Sequence, residues 1–83
     1  MLTATFEYSE ELLESLELSP ENFTMELRMA AAAKLYEMGR LSSGRSAELA
    51  GVPRLVFLHR LADYGVPVID LTREELEQDL ANA

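Results

Sequence analysis

The sequence predicts a mainly α fold: one small helix-turn-helix domain over residues 1–83, with a short N-terminal strand and a second short strand near 66–69. Three observations predict it. Leu41 to Leu58 reads as helix, tight turn, helix, with Gly51 placed to take a positive φ and Pro53 to restart the chain. Ser19-Pro20-Glu21 opens a long helix-forming run that closes at Gly39. Leu2 to Tyr8 alternates apolar with polar residues, the period of a strand.

Taken in order, the first element is the strand at 2–8. Leu2, Ala4, Phe6 and Tyr8 share one face, and Thr3, Thr5 and Glu7 the other. A single strand needs an edge to pair with. Val66-Pro67-Val68-Ile69 is short, β-prone and the candidate for that edge. Ser9 then opens an acidic helix over 10–17, with Leu12, Leu13 and Leu16 inward.

The longest helix is expected over 20–38. Its apolar residues form two lines, Phe23-Leu27-Ala31-Leu35 and Met25-Met29-Ala32-Tyr36. A helix that is apolar around most of its circumference is buried on more than one side. Either its own chain wraps it, or a second subunit does. The second reading makes Leu27, Met29, Ala32 and Tyr36 candidates for a dimer interface.

The motif follows. Ser42 or Ser43 caps a helix over 43–50, because a hydroxyl there accepts from an unpaired backbone N–H. Ala47 is small where two helices approach, and Val52 plugs the space under the turn. The second motif helix is expected over 53–64, with Pro53 at its first position and Gly65 stopping it. Leu55, Phe57, Leu58, Leu61 and Ala62 are expected on the core arc, with Val56, His59, Arg60 and Asp63 opposite. Last, Thr72-Arg73-Glu74-Glu75 is a capping box for a closing helix over 73–81. Only Leu76 and Leu80 give that helix an apolar stripe, so it is expected to order on a partner.

Composition narrows the function. Eighty-three residues make one small domain with a thin core, close to the size of roughly 70–80 residues below which a core rarely supplies more than about 3–5 kcal/mol. Cysteine is absent and His59 stands alone, so disulfides and a nitrogen–sulfur metal site are excluded and no cofactor is expected. Oligomerisation is the remaining support, and a homodimer is expected. No apolar run is long enough to span a membrane, and no basic-then-apolar leader precedes the domain, so a cytoplasmic location is expected. No catalytic constellation is visible: the carboxylates decorate helix surfaces without the opposed environments that split pKa values. An enzyme is not expected.

The net charge of −8 argues against a nucleic-acid ligand, but its distribution does not. Residues 1–27 hold seven acids and no base. Residues 28–62 hold six bases against two acids, and residues 63–83 six acids against Arg73. A basic centre thus coincides with the helix-turn-helix. Arg45, Arg54 and Arg60 are the DNA-binding candidates, placed to reach phosphates or base edges. Leu55, Val56 and Leu58 stand where base-reading side chains usually occur, so the alternative is that the motif serves only as a packing unit.

Three blocks carry a family resemblance: Lys34-Leu35-Tyr36-Glu37-Met38-Gly39, Ala47-Glu48-Leu49-Ala50-Gly51 and Gly65-Val66-Pro67-Val68. Over about residues 2–80 the chain resembles the small prokaryotic proteins grouped as uncharacterised protein family 0175. The resemblance implies a helix-turn-helix antitoxin, paired with a PIN-like ribonuclease toxin and binding promoter DNA for autoregulation. It brings no catalytic residues. It implies that the acidic end contacts the toxin; from the residues themselves, Leu71, Leu76 and Leu80 are the expected anchors and Glu74, Glu75, Glu77 and Asp79 the charged rim. The alternatives are a protein–protein adaptor with this fold that does not bind DNA, and a stand-alone small transcription regulator.

Overall fold

A computed structural model of the chain describes residues 2–68. The order is α1 (Glu10–Leu16), α2 (Pro20–Glu37), α3 (Ser43–Ala50) and α4 (Arg54–Arg60), followed by a 3₁₀ turn at Leu61–Tyr64. Three starts are capped as the sequence indicates. Ser9, Ser19 and Ser42 each accept a backbone N–H, from Leu12 at 3.3 Å, Asn22 at 3.2 Å and Arg45 at 3.2 Å. Between the two motif serines, Ser42 is therefore the cap.

The ends share one device. Gly39, Gly51 and Gly65 follow α2, α3 and the 3₁₀ turn with φ near +70°, at 73°, 75° and 67°. At α2, Gly39 N–H donates to Tyr36 O and Arg40 N–H to Leu35 O, which satisfies two orphan carbonyls. Helix α1 ends in the same way on Glu17, whose φ of 56° is left-handed for a residue with a Cβ.

The described residues contain no strand, which corrects the two strands expected at 2–8 and 66–69. The two segments are held at different levels of α2. Phe6 and Tyr8 gather on Phe23, with ring centroids 6.4 and 4.8 Å away. Val66 joins the core with Met29 and Ala33. Aromatic contact on Phe23 takes the place of the expected strand ladder, while Val66 is drawn into the core cluster. Ile69 lies outside the described residues, as does the closing helix expected over 73–81.

The core lies between α2, α3 and α4. Met29, Ala32, Ala33 and Tyr36 of α2 meet Ala47 and Ala50 of α3, Phe57 of α4, Leu61 and Val66. Tyr36 and Phe57 cross edge to face at 5.7 Å, a favoured quadrupole geometry. Helix α3 brings its small side chains inward: Ser43, Ser46, Ala47 and Ala50 are its buried residues, at the i, i+3, i+4, i+7 spacing of one helix face. That row lets α3 lie close against α2. Val52 packs under the turn as expected. Helix α1 buries nothing, contrary to the inward placement expected for its leucines: Leu12 and Leu16 are exposed.

This packing also relocates the dimer candidates. Met29, Ala32 and Tyr36 are 1%, 0% and 3% exposed, covered by their own chain. They offer no surface to a second copy. Of the four candidates only Leu27 is exposed.

Candidate nucleic-acid interface

The helix-turn-helix is fixed at both ends of α3. At its C-terminus, Gly51 turns left-handed and donates its N–H to Ala47 O and Glu48 O. Arg28 reaches across from α2 and donates Nε–H to Leu49 O at 2.9 Å. A guanidinium on the last carbonyls of a helix is favoured by both the hydrogen bond and the dipole. At the N-terminus of α3, Arg54 donates Nε–H to the buried Ser43 Oγ at 2.9 Å. The start of α4 is thereby tied to the start of α3. Pro53 sits one place earlier than expected, as the extended N-cap of α4 with φ −60° and ψ 150°.

The three DNA-binding candidates differ in their surroundings. Arg45 is exposed on the first turn of α3 and pairs with Glu48 at 2.8 Å. Such exposed i, i+3 pairs are worth little and exchange readily for a phosphate. Arg54 is half-buried at the α3–α4 junction, where it braces the motif. Arg60 is half-buried in the last turn of α4. Sequence reading missed the bracing role of Arg54 and the capping role of Arg28. The spacing Ser43, Ser46, Ala47, Ala50 was the available signal, since a buried hydroxyl at Ser43 requires a partner.

Helix α4 presents a different outer face from the one expected. Leu55 is 75% exposed and Val56 42% exposed, with His59 also outside. Phe57 and Leu61 take the core side, and Ala62 is exposed. Leu55 and Ala62 thus leave the core arc, because a seven-residue helix anchored by Phe57 buries only a narrow stripe. The outward surface of α4 is apolar with one imidazole. It can meet thymine methyl groups, and the half-buried Arg60 in its last turn is the bidentate donor beside it.

Just past α4, Tyr64 donates its hydroxyl to Glu26 Oε1 on α2 at 2.8 Å. Desolvation, followed by the bond to the Glu26 carboxylate, pushes the Tyr64 phenol up from 10.0 to about 12. Leu71, Leu76, Leu80, Glu74, Glu75, Glu77 and Asp79, the partner-contact candidates, lie outside the described residues. Among the described residues no group of His, Cys, Asp or Glu is arranged to hold a metal ion. No helix there is long and apolar enough to cross a membrane.

Comparison with known proteins decides the family. The family described as "Uncharacterised protein family (UPF0175)" matches residues 1–83. The chain belongs to this family. A relative named "UPF0175 protein", from Aeropyrum pernix, is 37% identical over 70 residues, which cover 84% of this chain and 78% of the relative. No solved structure matches the chain. The resemblance read from the three sequence blocks is therefore the family to which the chain belongs.

Proposed function

We propose that the chain is an antitoxin-type regulator that holds promoter DNA through its helix-turn-helix and a toxin through its acidic end. The observation that carries the DNA part is the α3–turn–α4 unit with Arg45 exposed on the first turn of α3. The basic stretch 28–62 supports it, since phosphate contacts dominate protein–DNA affinity. The apolar outer face of α4 restricts sequence discrimination largely to shape, methyl contacts and what Arg60 reaches.

The toxin part rests on composition. Residues 63–83 carry six acids against one base, which suits a cleft built for phosphates, as in a PIN-like ribonuclease. In this reading the protein is a cytoplasmic homodimer that has no enzymatic activity of its own and links toxin capture to repression. The test is retention of a duplex from the protein's own promoter across a salt series, with and without any PIN-like nuclease that co-purifies with it. A nuclease that is inhibited by the protein, and a duplex retained at low salt, support the reading.

One observation favours a second reading. Exposed Leu55 and Val56 on α4 fit a protein groove as well as a DNA groove. An adaptor would retain its protein partner and fail to retain DNA at any salt. A stand-alone regulator would retain DNA with no nuclease partner.

A further inference from the structure

Between α2 and the segment that follows α4 lies a cavity of about 250 Å³. Ala30, Ala33, Lys34 and Glu37 line it from α2, at the i, i+3, i+4, i+7 spacing of one helix face, and Tyr64 and Val66 line it from the other side. Its floor is small and apolar: Ala33 and Val66 are buried and Ala30 is half-buried. Its rim carries the exposed Lys34–Glu37 pair, 2.8 Å apart. The Tyr64 hydroxyl is committed to Glu26. The polar groups of the lining are thus engaged within the chain, and the space left over suits hydrocarbon. The volume is also below the roughly 300–1,000 Å³ of a small-molecule site. Aliphatic side chains are the occupants that fit.

The chain itself supplies the nearest ones. Val66 forms part of the wall, Pro67 biases it toward extended backbone, and Val68, the last described residue, is 55% exposed. The next three residues are Ile69, Asp70 and Leu71, two branched aliphatics around one acid. Even on a fully extended chain they start within about 10–11 Å of Val66 and end within about 17–18 Å. A tether this short gives an effective concentration in roughly the millimolar range. A second copy or a separate partner, free in solution at micromolar concentration, does not match that for the same contacts. The charges agree with it: the cavity has a lysine at its rim, and the segment has an acid between its two aliphatics.

We propose that Ile69 and Leu71 of the same chain seat in this cavity, with Asp70 at the rim beside Lys34. In an extended segment Ile69 and Leu71 share one face and Asp70 takes the other. Lys34 can accept a second carboxylate at little cost, because an exposed i, i+3 pair is weakly held. The seat assigns Leu71 to the chain's own fold and leaves a partner's grip to Leu76 and Leu80. It depends on neither the DNA nor the toxin reading, and neither falls with it.

Methyl NOE spectroscopy of the full-length protein reads the seat directly. Cross-peaks should join the methyl groups of Ala30 and Ala33 to those of Ile69 and Leu71. Leu71→Ala should lower the thermal midpoint by about 4–8 °C, the shift that a modest loss of buried contact produces in a domain of this size. Leu76→Ala should leave the midpoint unchanged. Ala30→Leu fills the cavity from the α2 side, so Leu71→Ala should cost less in that background. If Ala30→Leu does not fold, the cross-peaks still decide. Their absence overturns the proposal whatever the melts show. Cross-peaks that run only between labelled and unlabelled chains in a mixed sample also overturn it, because they give the cavity to a second copy.

Discussion

Arg28 and Gly51 meet at the turn of the helix-turn-helix. A Cβ on Gly51 would lie 3.0 Å from both terminal nitrogens of the Arg28 guanidinium. The same side chain donates to Leu49 O, so a side chain at residue 51 would crowd the guanidinium that closes α3. Gly51 thus has two reasons to be glycine, its φ of +75° and the arginine above it.

Gly51→Ala is expected to cost about 1–2 kcal/mol, from left-handed backbone strain plus displacement of Arg28. In a double-mutant cycle with Arg28→Ala, the second cost should be partly recovered, because the crowding partner is gone. Urea denaturation of the four proteins measures the coupling. Strict additivity would mean that the two residues act independently.

Glu17→Gly is expected to stabilise the protein by about 0.5–1 kcal/mol. Glu17 ends α1 at φ 56°, where glycine carries no Cβ penalty. A raised thermal midpoint is the readout, and a lowered one would show that the glutamate side chain contributes more than the strain costs.

The two motif arginines should separate by assay. Arg54→Ala is expected to lower stability, because it removes the Nε–H donated to the buried Ser43 Oγ and with it the tie between α3 and α4. Arg45→Ala is expected to leave stability within about 0.5 kcal/mol and to flatten the salt dependence of DNA binding by about one unit. Paired melting curves and binding titrations of the two variants check this.

Tyr64 sets an alkaline limit. Its phenol is raised to about 12 in the folded chain against 10.0 for the free side chain. Its contribution is therefore fully present below pH 10 and is lost as pH rises from 10 to 12, where the unfolded state releases the proton first. Tyr64→Phe should remove that part of the alkaline slope. Glu26→Gln should lower the titration seen in tyrosinate absorbance, since the carboxylate that accepts the phenolic proton is gone.

The helices were legible in the sequence because their ends carry side-chain chemistry: Ser9, Ser19 and Ser42 at the starts, Gly39, Gly51 and Gly65 at the stops. The exception is Glu17, a residue type that gives no left-handed signal. The strand at 2–8 was misread because alternation reports only which side chains share a face. Whether a partner edge lies alongside is a tertiary fact, and here Phe6 and Tyr8 pack on Phe23 instead. The two apolar lines of α2 were both read, but sequence could not say which one the chain itself would cover. Small residues decided that: Ser43, Ser46, Ala47 and Ala50 of α3 accept the Met29–Tyr36 line. At the candidate interface the Arg54–Ser43 brace and the outward turn of Leu55 were not legible. Both depend on how seven residues of α4 rotate around Phe57.

The central claim, that the helix-turn-helix holds DNA chiefly through phosphates, is tested most directly by one titration. Fluorescence anisotropy of the full-length protein on a labelled duplex from its own promoter, repeated from about 50 to 200 mM salt, gives the slope of log K against log salt. The account predicts binding at low salt, a slope of roughly −2 to −4 from a few neutralised phosphates, and little discrimination against a scrambled duplex. No binding at the lowest salt would contradict the claim and leave the adaptor reading in its place.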